Sequence, residues 1–349
     1  MKSDPAIDAL MFPFQRGEIA WPETPVLFLR AREGAALRQF PLQQLICEQS
    51  FKPDADALMR SGLQVVADAN ASADAGPPAL VMMLPPRQRD EARALFARAL
   101  AQVSDDGVII ASVANTEGAK TAESDLRALA GGLSGTISKH HCRVFWVRRN
   151  EVQPAAELVG AWGSLDAPRR ILGGRFTSRP GVFAWDRIDA ASALLVEHLP
   201  DTLRGHGADL GAGYGYLAAE VLARNPGVTA MDLYEAEARA LSLARINLSD
   251  ACVPVQFHWH DVTAGVQPRY DFIVSNPPFH AQGRTGRPDI GQRFIAVAAQ
   301  SLRPGGRLWL VANRHLPYEQ VIAEHFSQVH VHAAREGFKV IEAIRAARA

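Results

Sequence analysis

Asn276-Pro277-Pro278-Phe279 concentrates more chemistry in four residues than any other stretch of this 349-residue chain. The prolines fix φ and stiffen the backbone, so the Asn276 side-chain oxygen and the Pro277 carbonyl can face one point. Two acceptors there match the two hydrogens of an exocyclic amine. Phe279 offers a face to a planar base, a contact worth about 1–3 kcal/mol. The same four letters also describe a plain strand-ending proline loop with a core phenylalanine.

A second constellation lies upstream in ADLGAGYGYLAAEVL (208–222). Gly211, Gly213 and Gly215 allow positive φ and close backbone approach, and the N–H groups of a following helix face a ligand. The G-x-G-x-G spacing differs from the G-x-G-x-x-G of a pyrophosphate site. Asp209, just before the glycines, would repel a pyrophosphate and suits a cationic amine. Asp232 closes the next predicted strand. An acid there binds the ribose hydroxyls of an adenosine ligand, or caps the helix that follows. Asp261, after the third predicted strand, is placed to reach an adenine amino group.

These residues need a scaffold that brings strand ends together. From residue 180 the pattern alternates: a helix over 187–198, a strand at 207–210, a helix over 215–224, a strand at 228–233 and a helix over 235–248. Strands near 255–258 and 272–275, a helix over 289–301, a strand at 307–311 and a helix over 317–326 follow. Two last strands, 328–333 and 337–344, have only AAREG between them and predict an antiparallel hairpin. Strands separated by helices of this length make a doubly wound, mostly parallel α/β sheet.

The first half echoes the second. ALVMMLPP (79–86) parallels DFIVSNPP (271–278), and DDGVIIASVAN (105–115) parallels PGGRLWLVAN (304–313). Leu84 stands where Asn276 stands, and the first half has no glycine-rich turn. The pattern predicts a duplicated α/β unit over 1–155 that is catalytically dead and a complete one over 156–349. The turn-rich segment between them carries Arg169, Arg170, Arg175 and Arg179, either a solvated linker or a set of phosphate contacts.

Composition narrows the classes. Hydrophobic residues make up 48% and charged residues 21%, which excludes wholesale disorder. Lys+Arg and Asp+Glu both number 37, so any nucleic-acid contact must come from a local patch. The three cysteines, Cys47, Cys142 and Cys252, are far apart, which argues against a disulfide framework or a thiolate zinc site. His258 with His260, and His330 with His332, lack a third ligand at a recognisable spacing and read as packing or surface residues. The first residues, MKSDPAIDALMFPF, carry acids and prolines where a secretory leader needs an apolar core. No apolar run reaches the roughly 18 residues of a membrane span. The expectation is a cytoplasmic protein without metal.

DLGAGYG, Asp232, Asp261 and SNPPFH follow, in order, the motifs of class I S-adenosylmethionine-dependent methyltransferases. With His280 after Phe279, and a PGVF-x-x-D segment (Pro180–Phe183, Asp186) upstream, the chain resembles the RsmC/RlmG ribosomal RNA guanine-N2 methyltransferases. The resemblance covers 175–345 strongly and the first 150 residues weakly. It implies two tandem Rossmann-like methyltransferase domains, of which the C-terminal one binds S-adenosylmethionine. Asn276, Pro277 and Phe279 would be catalytic. Asp209, Gly211, Gly213, Gly215, Asp232, Asp261 and Phe183 would hold the cofactor. Pro278, His280, Arg169, Arg170, Arg175 and Arg179 would meet the substrate. The partner would be ribosomal RNA or the small ribosomal subunit, met by a monomer. The turn reads GAGYG where many relatives have GCGxG, and the strand before it, GHGADL, is poor in β-branched residues.

Other readings remain compatible with the residues. Adenine N6 and protein glutamine also present an NH₂ on a planar group. An NAD-binding oxidoreductase could use the glycine turn, though SNPPF has no role there. A non-catalytic RNA-binding protein leaves Asp232, Asp261 and Asn276 unexplained.

Overall fold

The computed structural model describes residues 4–68, 76–267, 269–278 and 288–347. Phe279 and His280 lie outside the described residues. The chain forms two compact units, 1–167 with 179–181, and 168–178 with 182–349. The boundary therefore falls after the expected 155/156. The helix Ala156–Gly163 packs Trp162 into the first unit's core, with the Arg93 guanidinium 4.5 Å from its ring.

The first unit runs α1 (Pro5–Gln15), β1 (Val26–Leu29), β2 (Leu45–Glu48), α2 (Lys52–Arg60), β3 (Gln64–Val66), β4 (Leu80–Met83), α3 (Arg89–Gln102), β5 (Val108–Ala114), α4 (Ala119–Ala130), β6 (Gly135–Lys139), β7 (Cys142–Arg148) and α5 (Ala156–Gly163). In the second unit a hairpin, β8 (Arg169–Ile171) and β9 (Phe176–Ser178), precedes α6 (Ala190–His198), β10 (Arg204–Leu210), α7 (Tyr216–Arg224), β11 (Gly227–Glu235), α8 (Ala238–Asn247) and β12 (Val255–Trp259). It continues with β13 (Tyr270–Ser275), α9 (Pro288–Ser301), β14 (Leu302–Asn313), α10 (Glu319–His325), β15 (Gln328–Arg335) and β16 (Phe338–Ile344).

Both units carry a seven-stranded sheet of one topology: β3-β2-β1-β4-β5-β7-β6 in the first and β12-β11-β10-β13-β14-β16-β15 in the second. Five strands run parallel and the last two form an antiparallel hairpin. The chain is thus two tandem α/β methyltransferase-like folds, as the echo predicts. The central strands are buried on both faces, Val26 to Leu29 and Leu80 to Met83 without interruption, as parallel strands between helical layers must be.

The glycines of GHGADL have a packing reason. The Phe272 ring of the neighbouring strand lies across Gly207, where an added Cβ would fall 2.1 Å from Cζ. Apolar bulk that β10 lacks is supplied by β13.

The order of strands reverses beside β10, with β11 on one side and β13 on the other. Such a switch point opens a crevice at the carboxyl ends of the strands. The glycine turn follows β10 and Asn276 follows β13, so both reach the same crevice.

Candidate active site

The turn from β10 into α7 holds Gly211, Gly213 and Gly215 at φ 79°, 55° and 88°. All three are in the left-handed region that side-chain-bearing residues rarely occupy. The Gly211 and Ala212 N–H groups donate to the Tyr234 carbonyl at 2.8 and 3.1 Å. Gly213 donates to Glu235 Oε2 at 2.7 Å. Asn247 of α8 locks the turn from outside, donating to the carbonyls of Tyr214 and Thr177 and accepting the Thr177 N–H.

Asp209 does not meet solvent at all: its exposure is 0%. Its Oδ2 accepts the Ala218 N–H in the first turn of α7 at 3.1 Å. Burial pushes its carboxyl up to about 8, against the lowering effect of that hydrogen bond. The expected contact with a cofactor amine is therefore corrected. Asp209 tethers the glycine turn to the first turn of α7.

Asp232 is corrected as well. β11 extends to Glu235, so Asp232 sits three residues inside the strand, opposite Ala208. Its Oδ2 accepts the buried Tyr270 hydroxyl at 2.7 Å, and His206 Nε2 stands 3.1 Å from Oδ1. Tyr270 in turn contacts the Tyr234 hydroxyl at 2.7 Å, and the Tyr234 ring stacks on His258 at 4.4 Å. Asp232 is the anchor of a polar network within the sheet layer. Nor does it cap a helix; Glu237 caps α8.

The acid at the strand end is Glu235. Its Oε1 accepts the Glu237 N–H at 2.8 Å while Oε2 accepts Gly213. Burial raises its pKa against these backbone donors. The sequence did carry a signal. Leu233 and Tyr234 are apolar and extend the strand, and the helix begins only after Glu237.

Asp261 stands two residues beyond β12 and opens a short 3-10 turn, its Oδ1 accepting both the Thr263 N–H and hydroxyl at 2.9 and 2.7 Å. This fixes its carboxylate at the crevice end of the third strand.

Asn276 directly follows β13, whose last residue Ser275 donates its hydroxyl to the Leu210 carbonyl at 2.7 Å. The Asn276 amide donates to Asp189 Oδ2 and to Ser192 Oγ, both at 2.9 Å. Neither Asp189 nor Ser192 was indicated by any motif. Pro277 and Pro278 follow outside any helix or strand. Phe183 is 69% exposed, a large aromatic that no core absorbs.

The four arginines are not one set. Arg179 belongs to the first unit and holds Asp166 through two bonds at 3.0 and 2.5 Å. In the second unit Arg175 pairs with Glu220 at 2.5 Å, whereas Arg169 lies over the Trp185 ring and Arg170 donates to the Gly174 carbonyl. Among the described residues no group of three His, Cys, Asp or Glu side chains could hold a metal.

The chain itself fits S-adenosylmethionine: a cradle of left-handed glycines in which an added Cβ at Gly213 meets nothing within 4 Å, and two carboxylates, Glu235 and Asp261, at successive strand ends. Residues 173–342 match the methyltransferase small domain family. A ribosomal RNA small subunit methyltransferase C from Shewanella halifaxensis is 32% identical over 263 residues, covering 74% of this chain and 75% of the relative. The chain belongs to the ribosomal RNA small subunit methyltransferase C family. Another member, from Escherichia coli, is 33% identical over 230 residues, 66% of this chain and 65% of its own. The T. thermophilus member, the 16S rRNA N2-guanine methyltransferase RsmC solved with AdoMet and guanosine, superposes with a TM-score of 0.78 at 27% identity. That match covers 98% of this chain and 92% of the other, so the two proteins share the tandem architecture.

Proposed function

We propose that this chain transfers a methyl group from S-adenosylmethionine to the exocyclic N2 of a guanine in 16S ribosomal RNA. The observation that carries the reading is Asn276: both amide hydrogens are taken by Asp189 and Ser192, so Oδ1 is the atom left to meet a substrate. An acceptor at that place suits an NH₂ group.

Glu235 and Asp261 hold the two ends of the adenosine, its ribose hydroxyls and its adenine amine, while the glycine turn lets the ligand approach the backbone. The cofactor supplies a methyl already activated on a sulfonium. Guanine N2 is a poor nucleophile because its lone pair is delocalised into the ring. Asn276 Oδ1 and the Pro277 carbonyl accept its two N–H bonds, which favours a pyramidal nitrogen and stabilises the positive charge that develops on it. No side-chain base is needed before transfer, since the proton becomes acidic only afterwards. A paired guanine hides this amine, so the base is read unpaired or flipped, with Phe279 as its stacking face. Pro278 and His280 serve the target base and its neighbours, the exposed Phe183 lies against the cofactor, and Arg169 and Arg170 meet RNA phosphates. Ribosomal RNA as the substrate is in keeping with the expected cytoplasmic location.

The test is nucleoside analysis of 16S RNA from a strain lacking the gene. The expected result is loss of one N2-methylguanosine, restored by the wild-type gene. An unchanged N2-methylguanosine content would overturn the reading.

A further inference from the structure

Asp189 is assigned no part by any motif, yet it is bonded directly to the residue that faces the substrate. Its Oδ2 accepts two hydrogen bonds at once, from the Ser192 N–H and from Asn276 Nδ2, each at 2.9 Å. The first makes Asp189 the N-cap of α6. The second joins the start of α6 to the end of β13, 87 residues apart in sequence. Ser192, one turn into the same helix, takes the other amide hydrogen through Oγ at 2.9 Å.

The chemistry of the pair removes an ambiguity. A primary amide can present either its oxygen or its nitrogen, and the two orientations are nearly isosteric. A carboxylate accepts and does not donate, so the Asn276 NH₂ must face Asp189 and the oxygen must face away. With the amide reversed, Oδ1 would oppose the carboxylate, and a donor would point at the substrate's own N–H groups. The negative charge also polarises the amide, drawing electron density toward Oδ1. The cap is itself tethered to the cofactor turn, because the Tyr214 hydroxyl donates to the Arg187 carbonyl at 3.2 Å, two residues before Asp189.

We propose that Asp189 is a positioning residue for methyl transfer: with Ser192, it locks the Asn276 amide so that Oδ1 accepts from the target amine. The assignment rests on the role given to Asn276 above. It concerns catalysis through another residue and needs no contact between Asp189 and either ligand.

Three variants of the full-length protein separate this role from helix capping. Asp189→Ser keeps a capping oxygen for the Ser192 N–H, but its side chain is one bond too short to serve Asn276 as well. Asp189→Asn can turn its own oxygen toward both donors. Asn276→Ala serves as the reference. Methyl transfer to 16S RNA is measured with kcat and KM apart, alongside S-adenosylmethionine affinity and melting temperature. The expectation is that Asp189→Ser melts near wild type and binds the cofactor normally, yet loses kcat by up to about 10²-fold, the cost of a small misplacement of a reacting group. Asp189→Asn should restore kcat to within a few-fold. If Asn276→Ala collapses turnover while Asp189→Ser keeps wild-type kcat, the positioning role is overturned and the proposed function stands. If Asn276→Ala itself transfers methyl normally, both fall together.

Discussion

Gln49 stands in the first sheet where Glu235 stands in the second. Leu29 pairs with Glu48 as Leu210 pairs with Tyr234, so Gln49 and Glu235 are each the next residue along. Their Oε1 atoms make the same bond, to the N–H two residues on, Phe51 at 2.9 Å and Glu237 at 2.8 Å. The carboxylate has become an amide whose Nε2 donates to the Ala31 carbonyl at 2.6 Å. Arg30, at the place of Gly211, keeps a positive φ of 55° but carries a long side chain paired with Glu91. Leu84 follows β4 as Asn276 follows β13. The first unit retains the sheet topology of the second, with Gln49, Arg30 and Leu84 where the second has Glu235, Gly211 and Asn276.

One S-adenosylmethionine should therefore bind per chain. Isothermal calorimetry on the full-length protein is expected to give a stoichiometry of one. A stoichiometry of two would show that the first unit has kept a pocket.

Glu235→Ala and Asp232→Ala should part company. The first removes the acceptor for two ribose hydroxyls, each such bond to a charged group being worth about 1.5–3 kcal/mol. Cofactor affinity should fall at least tenfold, together with some stability, because the Gly213 and Glu237 N–H groups lose their acceptor. The second strands the Tyr270 hydroxyl and His206, and should cost about 1–3 kcal/mol of stability, read as a lower urea midpoint. The opposite pattern would return the ribose to Asp232.

Asn276→Ala should leave cofactor affinity near wild type while kcat falls about 10²–10³-fold, the usual loss for one preorganised group at a developing charge. A parallel loss of binding and turnover would put Asn276 against the cofactor instead.

Asp209 makes stability depend on pH in an unusual direction. Burial raises its folded value to about 8 from an ordinary 3.8, so the native state binds the proton more tightly than the unfolded chain does. Its contribution is fully present below about pH 4 and is lost as the pH rises through about 8. Asp209→Asn keeps an acceptor for the Ala218 N–H and carries no charge. Its melting temperature, relative to wild type, should climb between these limits and level off above them. A difference that does not vary with pH would mean that the carboxyl titrates normally.

Salt dependence should divide the arginines. Changing Arg169 and Arg170 to Gln should reduce the log–log slope of RNA affinity against salt by roughly 0.7–0.9 for each phosphate that is no longer neutralised. Arg175→Gln and Arg179→Gln break ion pairs with Glu220 and Asp166, and should alter melting more than slope. Four equal slope changes would restore the single patch that the linker sequence suggested.

The sequence by itself determined the duplicated α/β fold, the closing hairpin, the glycine turn and the Asn-Pro-Pro loop. Each is local: periodicity reports which faces are buried, and glycine and proline report backbone angles, within a window of a few residues. For the acid that ends β11 it offered only the apolar Leu233 and Tyr234, which extend the run without fixing its end. Asp232 and Glu235 are three residues apart in one run, and it is pairing with β12, Glu235 opposite Trp259, that carries the strand on to Glu235. Nor could it find the partners of Asn276. Asp189 falls inside the helix expected over 187–198, and nothing in its neighbours points 87 residues ahead. Contacts of that kind belong to the folded sheet, which brings the end of β13 to the start of α6, and tertiary structure alone decided them.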